Sequence, residues 1–286
     1  MTFRVYSNGK PLTNLAAKET ISLQCSIQNK LEKSARELLY GSALFFPLRS
    51  AYQYVFNRQK LLVRRKTRDF YAGFVRRGDL AFDVGANVGS YSEVFCELGA
   101  KVVAVEPNPQ CCQYLRRLAS VYPVYVENLA AGDLPGKTTL RICDYSGLST
   151  LTNDWYEASQ QSPLNRDAKW TGTLEVEIIT LDQLAERYGV PDFVKIDAEG
   201  YDDHVLRGMS FRPPALQFEF NRWLPAVAMR CFDAPALASG YEFNYVRGLE
   251  MRLACESWVR GDELRARLDA LTGNEWNGDV LARRIA

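Results

Sequence analysis

A chain of 286 residues with 47% apolar side chains is long enough for one large domain with an attached subdomain, and too apolar to stay disordered. Its 35 lysines and arginines almost balance 34 aspartates and glutamates, which excludes a whole-chain field pulling it toward nucleic acid or an acidic surface. Seven cysteines without C-x-x-C pairing and a single histidine speak against a disulfide framework and against multi-histidine metal sites.

The opening MTFRVYSNGK lacks the basic-then-apolar build of a secretory signal, and no apolar run reaches the roughly 18 residues of a membrane span. The expected location is therefore cytoplasmic, with Cys25, Cys96, Cys111, Cys112, Cys143, Cys231 and Cys255 as reduced core thiols.

Residues 1–77 read as an N-terminal helical cap. Leu31, Ala35, Leu38 and Leu39 share one helical face, and Leu61, Leu62, Phe70 and Phe74 form a second expected buried stripe. Arg58, Lys60, Arg64, Arg65, Lys66 and Arg68 run without an intervening acid beside Phe45, Phe46, Tyr52, Tyr54 and Phe56. Such a run is usually a solvated face, but it is also compatible with weak membrane-surface or anionic-substrate contact. The apolar stripes suit an intramolecular core or an oligomer contact equally well.

Residues 78–255 change texture. LAFDV, KVVAVE and PVYVENLA alternate with helical segments, the pattern of a parallel sheet covered on both faces, whose ligands bind beyond the carboxyl ends of the strands. Within FDVGANVGSYSEVF, Asp83 closes a strand, and Gly85 and Gly89 bracket a tight turn before a helix starting near Ser90. Glycine permits left-handed backbone angles and close approach at such a turn, and the helix N-terminus can offer amides to a carboxylate. Glu106 ends the next strand, where an acid can accept both hydroxyls of a ribose. D-V-G-A-N-V-G lacks the early glycine of G-x-G-x-x-G that makes room for a pyrophosphate, which disfavours a dinucleotide.

From Lys137 to Leu181 the alternation lapses. TTLRI and LEVEIIT read as antiparallel strands around a polar loop with Ser146, Ser149, Trp155, Pro163 and Trp170, an insertion over the crevice. LDQLAERYG then reads as a helix, DFVKID as a strand, DDHVLRG as a helix and ALQFEF as a strand, and YEFNYV opens a terminal hairpin. Residues 256–286 are expected to form the C-terminal edge of the same domain: a helix from Asp262 to Leu271, then a loosely ordered stretch marked by Gly273, Asn274 and Gly278.

Lys195, Asp197 and Glu199 alternate at the end of the DFVKID strand, so they point toward one face. A carboxylate raised by burial can remove a hydroxyl proton, which makes Asp197 and Glu199 candidate bases. Lys195 is as readily an ion-pair partner as a catalytic amine. Glu219, in an otherwise apolar strand, needs a partner and is placed to orient substrate or Lys195. His204 sits on a helix surface by pattern, and Ser149 and Thr150 suit turn capping or ligand hydrogen bonds. The acids match no complete oxygen cage, so no metal is assigned.

FDVGANVGSYSEVF, VVAVEPNP, TLDQL and VKIDAEGYDDHVLRG, supported by NLAAGD and LQFEF, resemble the FkbM family of methyltransferases in order from about Phe70 to Asn244. The resemblance implies a Rossmann-like, seven-stranded class I methyltransferase sheet, α/β in class, with the insertion before its fourth parallel strand. It implies S-adenosyl-L-methionine as cofactor and methyl transfer to a hydroxyl of a sugar, glycan or secondary metabolite. Asp83, Gly85, Asn87 and Gly89 would then hold the methionine end and Glu106 the ribose, with Pro107, Asn108, Asn128 and Ala130 near the adenine. Asp202 stands where the family usually has glutamate. The alternatives are a nicotinamide-dependent oxidoreductase on a similar sheet, or a non-catalytic membrane- or partner-binding module.

Overall fold

The computed structural model describes residues 6–7, 10–11, 58–161, 165, 167–248, 250–271 and 277–285. The chain divides into two compact units, Met1–Lys60 and Leu61–Ala286. In the first, β1 (Tyr6–Ser7) pairs antiparallel with β2 (Lys10–Pro11). The stripe from Leu31 to Leu39 and the aromatic stretch from Phe45 to Phe56 lie outside the described residues, as does Cys25.

Helix α1 (Arg58–Tyr71) carries the basic run. Its inner residues differ from the expected stripe: Leu62 is exposed, while Thr67 and Tyr71 are buried, with Val75 just beyond. Tyr71 donates to Gln217 Oε1 at 2.6 Å and packs edge-on against Tyr91, Phe95 and Phe193. Arg64 pairs with Glu93 and Glu97, so the basic run is not wholly a solvated face.

The second unit is built on a seven-stranded sheet in the order β11-β12-β10-β9-β3-β4-β5. Its strands are β3 (Leu80–Val84), β4 (Lys101–Val105), β5 (Val124–Glu127), β9 (Phe193–Ile196), β10 (Ala215–Asn221), β11 (Tyr241–Arg247) and β12 (Asn277–Arg284). β3, β4, β5, β9 and β10 pair in parallel, and β12 runs antiparallel to both its neighbours. Their apolar runs are buried on both faces: Phe82, Val103, Val194, Leu216 and Phe218 are inaccessible.

Helices α2 (Ser90–Glu97), α3 (Pro109–Leu118), α5 (Leu181–Tyr188), α6 (Asp202–Arg207), α7 (Pro225–Phe232) and α8 (Gly261–Asp269) belong to the connections. α5 starts with a capping box in which Thr180 Oγ1 accepts from the Gln183 amide and Gln183 returns the bond, about 1 kcal/mol of helix stability. The expected insertion is a separate three-stranded sheet, β6-β8-β7, of Ala130–Ala131, Trp170–Ile179 and Gly136–Cys143, carrying α4 (Asn153–Gln160).

One expectation is corrected. The C-terminal residues are not a loose edge: β12 lies between β10 and β11, with Gly278 paired to Phe220 and Arg247. A Cβ on Gly278 would meet the Val246 carbonyl oxygen at 1.9 Å, so this glycine marks two strands in close approach.

Among the described residues no helix is long and apolar enough to cross a membrane. Cys96, Cys111, Cys112, Cys143, Cys231 and Cys255 are buried free thiols.

Candidate functional site

The sheet order reverses between β3 and β9, and ligands of such sheets bind at that switch. A cavity of about 600 Å³ opens there, beyond the carboxyl ends of β3, β4, β9 and β10. One side is lined by Gly85, Asn87, Ser90, Tyr91, Glu106, Pro107 and Ala130, the other by Lys195, Asp197, Glu199 and Glu219. The insertion supplies Ser146 to Leu151 and Trp155.

Gly85 has φ +72°, and a Cβ there would stand 1.8 Å from the Asp197 carbonyl oxygen. The expected close approach is thus partly to the chain itself, and it joins the two halves of the site. Gly89 caps α2 without a side-chain bond and backs onto Leu115, which leaves the first-turn amides of α2 to a ligand. Asn87 is left-handed at φ +49°. Its amide donates to Glu106 Oε2 at 2.8 Å, and its Oδ1 accepts from Ser146 Oγ at 2.9 Å, tying the insertion to the turn.

Glu106 Oε1 accepts the Asn108 amide, also at 2.8 Å. Burial pushes this carboxyl up to about 7 against the pull of the two amide bonds. Asp83 is fully buried: one oxygen accepts from Ser92 Oγ at 2.6 Å, and the other has no partner. Burial raises it, while Lys195 and Ser92 oppose the rise.

Asp83, Gly89, Asn108 and Asn128, all expected near the cofactor, do not line the cavity. Asn108 caps α3 by accepting the Gln110 amide, and Asn128 Nδ2 donates to the carbonyls of Glu106 and Pro107. Both shape the loop that carries Glu106.

Lys195 is 1% exposed, with Nζ 3.0 Å from Asp197 Oδ2 and 4.5 Å from the Tyr91 ring centre. Burial pulls its ammonium down, but Asp197, Asp83, Tyr91 and Asp279 together lift it above the ordinary lysine value. It stays charged, the behaviour of an ion-pair partner rather than an amine base.

Glu199 sits at φ +48°, a rare angle for a side chain of its kind, and Thr150 Oγ1 holds its carbonyl at 2.7 Å. Burial, then Glu219 and Asp197, raise Glu199 well above the carboxylate range, and burial with Asp197 and Asp202 raises Glu219 likewise. Asp202 is pushed up to about 7, first by burial, and accepts the Glu219 amide at 3.5 Å. Among the described residues no group of three or more histidine, cysteine, aspartate or glutamate side chains is arranged to hold a metal ion.

His204 is outside the cavity, 3.3 Å from Asp133 and stacked on Tyr201. Ser149 accepts the Cys143 amide at 3.1 Å and also lines the cavity. Tyr91, Asn221 and Trp223 line the cavity without having been expected there, and Asp279 is an unexpected charge facing Lys195. Asn221 ends β10, so the strand-end rule points to it; Asp279 was hidden in the stretch read as loose.

The sequence profile of the methyltransferase FkbM domain matches residues 83–230. The chain belongs to the FkbM methyltransferase family. Hexuronic acid methyltransferase AglP of Haloferax volcanii is 28% identical over 140 residues, 46% of this chain and 50% of the relative. The chain thus spans about half the length of that curated relative. Among solved structures, precorrin-6y C5,15-methyltransferase from Geobacter metallireducens aligns at 13% identity and TM-score 0.36, covering 80% of this chain and 89% of that one. An rRNA methylase from Streptococcus thermophilus aligns at 8% identity and TM-score 0.36, covering 77% and 94%.

The domain is therefore a methyltransferase domain with S-adenosylmethionine as its cofactor, and the nicotinamide reading falls away. The residues that line the cavity fit the group: α2 opens there without a side-chain cap, leaving amides where a carboxylate is expected, and Glu106 is fixed for two hydroxyls.

Proposed function

We propose that the protein is an S-adenosylmethionine-dependent O-methyltransferase acting on a hydroxyl of a sugar, glycan or secondary metabolite, with glycans bearing a hexuronic acid as first candidates. The observation that carries this reading is the cavity itself, where Glu106 and the carboxylates Asp197 and Glu199 line one chamber. Uncapped α2 amides would hold the cofactor's carboxylate and Glu106 its ribose; the bound cofactor supplies the methyl group.

This chain's residues do the rest. Trp223, with Arg222 on its ring, and Asn221 line the wall where an acceptor would lie, Asn221 offering an amide for hydroxyls, while the buried Trp155 backs that wall. Lys195 holds Asp197 in place. Glu199 removes the hydroxyl proton, and much of the rate comes from orienting the acceptor oxygen. Hexuronic acids come first because the AglP relative is a hexuronic acid methyltransferase. The buried free thiols support a cytoplasmic setting.

The test is transfer of labelled methyl from S-adenosylmethionine onto glycan fractions of a cell extract, including uronate-bearing oligosaccharides. Label in a glycan that survives mild alkali is expected, because a methyl ether resists it. Label lost to alkali means an ester on a carboxylate, and label only in protein or nucleic acid rejects the reading.

A further inference from the structure

Parallel pairing of β9 with β10 matches Lys195 with Gln217 and Ile196 with Phe218. The next residues on the two strand ends are Asp197 and Glu219, and Glu199 follows within the same cavity wall. Three carboxylates thus meet at the acceptor side. Asp202 and Asp279 also face Glu219, and Lys195 is the cation among the charges that face Glu199. Lys195 is already bound to Asp197. That leaves Glu199 and Glu219, both half-buried on one cavity wall, as like groups without a counterion of their own; Glu219 has only the Asn221 amide, 3.4 Å from its Oε1, and such a cluster retains a proton.

We propose that Glu199 and Glu219 hold a single proton between them in the cofactor-free protein, and that the positive charge of bound S-adenosylmethionine expels it, readying the base only when the methyl donor is in place. The inference rests on the S-adenosylmethionine reading. The cavity is continuous from Glu106 to Glu219, so a methyl group directed at an acceptor brings its sulfonium toward this pair. The expelled proton leaves to solvent. In turnover the acceptor O–H gives its proton to the emptied carboxylate as the new O–C bond forms, and the electrons of the broken C–S bond return to sulfur. The product, S-adenosylhomocysteine, carries no sulfonium charge, so the pair keeps the proton it took from the acceptor.

Calorimetric titration of the full chain near neutral pH, in two buffers of different ionisation heat, counts protons exchanged on binding. Glu106 answers to the ribose, which both cofactor forms share, so the difference between S-adenosylmethionine and S-adenosylhomocysteine isolates the sulfonium. The wild type should release up to about one more proton with S-adenosylmethionine. E199Q and E219Q should erase that difference, and E219D should keep it. Equal counts for the two forms in the wild type, or an undiminished difference in both glutamine variants, overturns the proposal. Should the glutamine variants fail to bind S-adenosylhomocysteine, infrared difference spectra of the wild type decide. Loss of a protonated-carboxyl band on adding S-adenosylmethionine alone supports the proposal, and an unchanged band overturns it. If neither form binds, the cofactor reading itself has failed and this inference falls with it.

Discussion

The Cβ that Gly85 lacks would lie 1.8 Å from the carbonyl oxygen of Asp197, so the turn on the cofactor side and the strand end carrying the proposed base are built against each other. No other side chain fits without moving β3 from β9. G85A is therefore expected to cost more than the roughly 1–3 kcal/mol of its left-handed backbone alone. Denaturant unfolding should show a lowered midpoint, and calorimetry a loss of cofactor affinity; wild-type values for both would mean that the two strand ends are not in contact.

Lys195, itself buried, faces the fully buried Asp83 and the partly exposed Asp197 and Asp279. K195M should destabilise the fold by about 3 kcal/mol, toward the low end for breaking a buried pair because Asp197 is about one-third exposed. The measurement is again the unfolding midpoint. A loss well under 1 kcal/mol would show the pair to be dispensable.

Stability should depend on pH in an unusual direction. Glu106 and Asp202 are lifted to about 7 and Asp279 to about 6, burial being the first cause in each. A carboxyl whose folded value lies above its unfolded one stabilises fully below the unfolded value and loses that contribution as pH rises through the folded value. The cofactor-free protein should thus lose at least about 1 kcal/mol between roughly pH 5 and pH 8. Asp203, where burial is outweighed by Arg230 and Arg207 and the carboxyl is lowered, works the opposite way but only in stronger acid. A midpoint that rises with pH across that window would contradict this.

Much of the candidate cavity's lining was legible before the fold. Gly85, Asn87, Glu106, Lys195, Asp197 and Glu199 line it and sit at ends of parallel strands or in the turns just after them, where alternation of strand and helix places ligand contacts, whereas Asp83 is sealed beneath it. Two kinds of information were not local. Gly278 signals a loop in sequence, yet it serves a strand pressed against Val246, so β12 and with it Asp279 were hidden. Asn108 and Asn128 look like strand-end contacts, but they spend their polar atoms on backbone groups around Glu106.

Division of labour between the two proposed acids is testable by amide substitution. E199Q should reduce turnover by about 100-fold or more, the range of a lost general base, with cofactor affinity nearly unchanged. D197N should lower turnover as well, because it frees Lys195 from the ion pair that orients both. Normal turnover in both variants would remove them from the mechanism.

The most direct measurement is calorimetric titration of the purified chain with S-adenosylmethionine and, separately, with NAD. Saturable one-to-one binding of S-adenosylmethionine is expected, tightening as pH rises through about 7, where Glu106 becomes ionised, with no binding of NAD. Saturable binding of NAD with none of S-adenosylmethionine would contradict it.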